Sequence, residues 1–240
     1  MLTFGELFAG IGGFSLGLER AGMKCRWQVE IDPYARAVLD KHWPKVPKHD
    51  DVRTFPPTHD DYSVDLVCGG FPCQDISLAG KGAGLAGARS GLWNDFARII
   101  RTVWPTWVVI ENVPALTARG LGTVLGDLAE IGFDAEWHCI PASAVGAPHK
   151  RDRIWIVAHS DRAGRQQQRR PKPVPAEQFA AECGGWWESE PDVGRVAHGV
   201  PSRVDRLRCL GNAVVPQVVE VIGRAIVEHE KNRTASGMRP

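Results

Sequence analysis

The chain has 240 residues, of which 43% are hydrophobic and 24% charged, with a formal net charge of +1. These values exclude wholesale disorder, and the length holds one full domain plus a small second unit, with a core that needs neither disulfides nor a metal to fold. No run of 18 apolar residues occurs and the first thirteen residues lack a leader's basic and apolar segments, so neither a membrane span nor secretion is expected.

Residues 2–8 read as a buried strand, and the glycines at 10, 12 and 13 open a helix running to Ala21. Residues 24–31 form a second strand, followed by Asp32-Pro33 and a helix to about His42. Further strands are expected at 64–68 and 107–110, separated by a helix over 92–103. A helix over 121–131 precedes strand-like stretches at 133–140 and 154–158. Strands alternating with helices of this length predict a doubly wound, mostly parallel α/β sheet covered on both faces, a Rossmann-like arrangement.

From about Ser160 the texture changes. Residues 161–175 hold five basic residues, three glutamines and three prolines, and 176–200 are mixed, with the pair Trp186-Trp187. The expected organisation is a main domain over 1–159, a small irregular region over 160–202, a returning segment over 203–230 that includes an apolar helix from Pro216, and a disordered tail over 231–240. The six cysteines (Cys25, Cys68, Cys73, Cys139, Cys183 and Cys209) form no CxxC pair, so no zinc ribbon or other metal centre is expected, and reduced thiols in a cytoplasmic protein are the default.

Three features carry chemistry. The turn Phe8-Ala9-Gly10-Ile11-Gly12-Gly13 joins a strand to a helix, where free amides and absent side chains let a ligand approach the backbone. About 20 residues on, Glu30 ends the second strand and offers an acceptor to a ribose hydroxyl pair, while Asp32 before Pro33 suits a helix cap. The pattern points to an adenosine-containing cofactor and leaves NAD and S-adenosylmethionine open. Next, Phe71-Pro72-Cys73-Gln74 lies beyond the third strand, where an exposed thiol can be activated. Finally, Glu111-Asn112-Val113 ends the fourth strand, and Arg151 and Arg153 immediately precede the last one. Singly, each reads equally well as an inert thiol, a solvated acid and a surface charge patch. Together, all at strand ends, they describe a site.

These motifs, in this order, resemble those of the DNA (cytosine-5)-methyltransferases, over residues 3–158 and 203–222. The resemblance implies the S-adenosylmethionine-dependent methyltransferase type of Rossmann-like fold and the cofactor S-adenosyl-L-methionine. It implies contacts from Phe8, Ala9, Gly10, Ile11, Gly12, Glu30, Ile31, Asp51, Val52, Pro72 and Leu92. Asn212 and Ala213 join them from Gly211-Asn212-Ala213-Val214-Val215-Pro216, which is similar to the family's C-terminal motif. It further implies that Cys73 attacks cytosine C6, Glu111 holds N3, Arg153 contacts O2 and Arg151 supports the site. The substrate would be a cytosine flipped from duplex DNA, with the glycine-dense stretch 79–91 as a closing lid. RNA cytosine methylation and a non-catalytic DNA-binding relic are the alternatives. A monomer is expected, and the role stays open between restriction-modification, phage DNA masking and an orphan modification.

Two departures stand out. His149 replaces the glutamine that usually follows Pro148, and only about 45 residues remain between Ala158 and Arg203 for reading DNA. That region implies minimal recognition or a helper, with Arg162, Arg165, Arg169, Arg170 and Lys172 available to phosphates. The near-neutral total also hides an asymmetry, because residues 149–172 carry eight Lys/Arg against two Asp, a local +6.

Overall fold

The computed structural model describes residues 1–57, 62–72, 91–160 and 201–235. Seven strands form one sheet in the order β3-β2-β1-β4-β5-β7-β6. They are β1 (Thr3–Leu7), β2 (Lys24–Val29), β3 (Lys48–His49), β4 (Leu66–Gly69), β5 (Trp107–Asn112), β6 (Asp134–Pro141) and β7 (Asp152–His159). Strands β1 to β5 pair in parallel, whereas β7 runs antiparallel to both β5 and β6. The helices are α1 (Gly13–Arg20), α2 (Pro33–His42), α3 (Gly91–Val103), α4 (Leu116–Arg119), α5 (Leu121–Ile131), α6 (Arg203–Asn212) and α7 (Pro216–Ala235).

The strands alternate between two cores, one on each face of the sheet. Val67, Val108, Ile110, Ile154 and Ile156 join Trp93, Phe96, Ile99 and Leu128 on one side. Leu66, Cys68, Val109 and Trp155 join Phe14, Leu18, Val219 and Ile222 on the other. Burial on both faces is why these strands read as unbroken apolar runs. The exception is β6, an edge strand whose residues are mostly exposed, including Trp137 at 42%. The expected cover on both faces therefore stops one strand short. A 3₁₀ turn at Ala142–Val145, rather than a crossover helix, joins β6 to β7, which makes that pair antiparallel.

The last helix completes the second core. Val218, Val219, Ile222 and Ile226 of α7 pack on Phe14 and Leu18 of α1. The crossing is close because a Cβ on Gly17 would stand 2.5 Å from the Pro216 carbonyl oxygen and 2.6 Å from the Val219 Cβ. Gly17 thus serves helix packing, not ligand access. By length and composition the stretch Arg203–Ala235 passes for a membrane span, but its α7 apolar face is turned to α1. Helix α7 runs to Ala235, so residues 231–235 are helical and not the disordered tail expected from 231 onward. Glu230 anchors this turn, its carboxylate accepting from Trp107 Nε1 at 3.1 Å and from Arg233 Nε at 3.2 Å. Residues 236–240 lie outside the described residues.

Candidate active site

The parallel strands β1, β2, β4 and β5 all end on one edge of the sheet, and the sequence-expected groups among the described residues collect there. The first turn leaves β1 with Phe8, Gly10 and Gly12 at φ of 54°, 55° and 86°. A left-handed phenylalanine is an unusual backbone. It is fixed by Ala9 N donating to the Val29 carbonyl at 3.0 Å and Gly12 N donating to the Ala9 carbonyl at 2.9 Å. Gly10 N donates to Glu30 Oε2 at 2.6 Å, and Asp32 N donates to Glu30 Oε1 at 2.8 Å. The Glu30 carboxylate is therefore held rigidly between the first two turns. Asp32 caps α2, accepting from the backbone amides of Tyr34 and Ala35 at 2.8 and 3.2 Å. Between these acids Ile31 stands 60% exposed, an apolar face presented beside a carboxylate.

Asp51 and Val52 follow β3 on the same edge. The Asp51 carboxylate takes the Arg53 side chain at 2.6 to 3.1 Å and the Arg53 amide at 2.9 Å, and Arg53 holds its pKa below the usual carboxylate value. Val52 is buried, and its carbonyl accepts from the Arg98 guanidinium at 2.8 Å, with the Phe55 carbonyl accepting at 3.2 Å. Arg98 pins this loop from α3, a role no motif announced. Leu92 on α3 and Phe8 both pack at the rim of the first core, with Phe8 6.1 Å from the Phe96 ring.

At the end of β5, Glu111 is 9% exposed and pairs with Arg153 on β7, Nε to Oε1 at 3.0 Å. The antiparallel register makes this pairing, since Glu111 stands opposite Trp155, two residues from Arg153. Burial raises the Glu111 pKa, while Arg153 and Arg151 pull it down. Gly70 backs the carboxylate so closely that a Cβ there would come within 2.9 Å of Oε2. Asn112 Nδ2 donates to the Phe71 carbonyl at 3.0 Å, tying the end of β5 to the turn that leads through exposed Pro72 to Cys73. Cys73 itself lies outside the described residues. So do 79–90 of the expected lid, the basic positions 162–172 and the Trp186-Trp187 pair.

Arg151 also has a mechanical task beside the electrostatic support expected of it. Its guanidinium donates to the carbonyls of Gly211 and Ala213 at 2.9 and 2.7 Å, fastening the end of α6 beside the site. Its charge still reaches Glu111. Arg208 of α6 makes a second fastening, 2.5 Å from Asp32. The segment carrying Asn212 and Ala213 is thus held by two arginines, Arg151 ahead of β7 and Arg208 on Asp32 of the second turn, and neither bond was expected from the sequence.

The model of the C-5 cytosine-specific DNA methylase family matches residues 2–185. The chain belongs to that family. Among the relatives of this chain is the Type II methyltransferase M2.BsuMI of Bacillus subtilis (strain 168), 37% identical over 64% of this chain and 41% of the relative. Another is the Type II methyltransferase M.HhaI of Haemophilus parahaemolyticus, 33% identical over 75% of this chain and 56% of the relative. The chain spans about half the length of the curated relatives it matches. The structure of a Spodoptera frugiperda DNMT2 mutant superposes with a TM-score of 0.59 at 21% identity, over 71% of this chain and 53% of that one, which is a likeness of fold. The seven-stranded sheet is the Rossmann-like α/β fold that this structure shares.

Proposed function

We propose that the chain transfers a methyl group from S-adenosyl-L-methionine to C5 of a cytosine flipped from duplex DNA, through a covalent bond between Cys73 and C6. The observation that carries this reading is the buried Glu111 carboxyl paired at 3.0 Å with Arg153, on the same sheet edge as the Glu30 cradle. A nucleoside cofactor fits that cradle. The Glu30 oxygens keep free lone pairs beyond the Gly10 and Asp32 amides for ribose hydroxyls, and Ile31 offers an exposed apolar face to a purine. Asp51 fits less well, because Arg53 and its amide occupy both oxygens. Its contact to the adenine edge requires Arg53 to release one of them.

When bound, the cofactor supplies an electrophilic methyl on a sulfonium. The chain's own groups do the rest. The Cys73 thiolate adds to C6, and the C5–C6 electron pair moves to C5, which becomes the nucleophile. Burial keeps the Glu111 carboxyl protonated further up the pH scale than an exposed acid, so it donates to N3 as the ring gains charge. Arg153 orients that carboxyl and reaches for the ring's O2. After methyl transfer, a base removes the C5 proton, the thiolate leaves C6 and the aromatic ring is restored. Extruding the base costs a few kcal/mol of unstacking.

The reading extends to a monomer in the bacterial or phage-infected cytoplasm, with residues 160–202 as a reduced recognition region, aided by a helper, in a restriction-modification setting. Its test is incubation of the full chain with labelled S-adenosylmethionine and either duplex DNA or tRNA. Label should enter DNA, and a Cys73→Ser variant should lose transfer and the covalent adduct with 5-fluorocytosine DNA. Label in tRNA alone, or an unimpaired Cys73→Ser variant, would overturn it.

A further inference from the structure

At the opposite edge of the sheet from Glu111, where β5 begins and β7 ends, three potential metal ligands meet. His159 closes β7 and stands opposite Trp107 in the antiparallel register, while His229 and Glu230 come from α7. One ligand atom from each of His159, His229 and Glu230 lies within 4.8 Å of the other two, and all three residues are half-buried. Two imidazoles and a carboxylate are the donor types that zinc takes in three-ligand sites. A tetrahedral ion would draw such atoms to about 3.3 Å apart, a shift within the range of side-chain rotation.

The second observation is that one residue orients all three donors. The Trp107 ring stands 4.4 Å from the His159 ring and 5.3 Å from the His229 ring. Its Nε1 donates to Glu230 Oε1 at 3.1 Å. A hydrogen bond from outside the ligand set that fixes a carboxylate is a recurrent support of metal sites. Beside the cluster opens a cleft of about 190 Å³ lined by Asp65, Trp107, Ser160, Glu230 and Arg233. It gives an ion and its completing water a way in. Arg233 occupies the other Glu230 oxygen, Nη2 to Oε2 at 3.0 Å, and so acts as a resident cation that a metal must displace.

We infer that His159, His229 and Glu230 form a site for a divalent transition metal, zinc by preference, that staples α7 to the end of β7. The site is separate from the methyl-transfer chemistry, because four residues of extended β5 put Trp107 about 13 Å from Glu111. It serves the fold by locking in place the helix that completes the second core. Nothing in the sequence marks it, since 69 residues separate His159 from its nearest partner and no motif spacing links them.

The test uses the full chain, stripped with chelator and titrated with Co(II) and then Zn(II) near pH 7.5. We expect one equivalent of Co(II) with visible d–d bands, displaced by Zn(II), and a rise of about 5–10 °C in Tm at saturating Zn(II). His229→Gln should remove that equivalent and the Tm rise. His138→Gln, an exposed histidine on β6, should keep both. Arg233→Gln should tighten metal binding several-fold by freeing a Glu230 oxygen from a competing cation. If His229→Gln fails to fold, Glu230→Gln is read in its place and should lose the same equivalent. Absence of a stoichiometric Co(II) spectrum, or an equivalent that survives both substitutions, would overturn the site. So would an Arg233→Gln variant with unchanged affinity.

Discussion

Two glutamates buried in one sheet have taken opposite paths. Glu6 sits inside β1, 1% exposed, with neutral partners: the Ser15 hydroxyl and amide, the Phe14 amide and Gln28. Burial pushes its pKa from the ordinary 4.5 to about 8. Glu111 sits at the end of β5, 9% exposed, and burial raises its pKa too, but Arg153 and Arg151 hold the shift back. An acid in mid-strand can escape the cost of desolvation only by taking up a proton. An acid at the strand end can be met by arginines from the neighbouring strand while one side stays open to a ligand. Depth along the strand, more than burial itself, separates a structural proton store from a group fit for proton transfer.

The sharpest way to break this contrast is Glu111→Gln. The amide keeps the shape but cannot deliver a proton, so methyl transfer should fall by about 10²–10⁴ with little change in Tm. A loss under tenfold, measured by incorporation of labelled methyl into DNA, would make Glu111 merely structural. Glu6→Gln should do the reverse and leave transfer near normal. The folded protein holds the Glu6 proton more tightly than the unfolded chain. Its contribution to stability is therefore full below about pH 4.5 and declines as pH rises to about 8. Urea unfolding at a series of pH values should show a loss of several kcal/mol across that window, flattened in Glu6→Gln. An identical slope in the variant would assign the loss to other groups.

Smaller effects probe the frame that holds the two acids. Gly17→Ala drives a methyl into Pro216 and Val219 and should destabilise by about 1–3 kcal/mol, seen as a lower urea midpoint. Arg208→Ala removes an ion pair whose arginine is 52% exposed, so stability should change by less than about 1 kcal/mol. Its larger expression should be a several-fold weaker affinity for S-adenosylmethionine, measured by calorimetry, because Asp32 and the Glu30 cradle lose their brace. An unchanged affinity would confine Arg208 to the surface.

Much of the parallel half was legible because strands buried on both faces write themselves as apolar runs, as at Val67-Cys68 and Val108–Ile110. Residues 48–49 escaped notice because a two-residue polar strand leaves no periodic trace. The exposure of β6 was equally hidden, since Trp137 and Cys139 resemble core residues until the sheet is seen to end there. In the site, the acids at strand ends and Gly10 were readable from their spacing. Arg98, Arg208 and the tie that Asn112 makes to the Phe71 carbonyl were not, because each acts on a backbone carbonyl or carboxylate distant in sequence. Glu6 was concealed for another reason. A lone acid in an apolar strand gives no sign of which neighbours will keep it neutral.

The dependence of α1 on α7 has a consequence on the ribosome. Phe14 and Leu18 are made roughly 200 residues before their partners Val219 and Ile222. At about 5–20 residues per second the nascent chain bears a naked apolar ridge for some 10–40 s. For that interval the half-made domain is a client for chaperones, and it becomes self-sufficient only when α7 emerges and closes over α1.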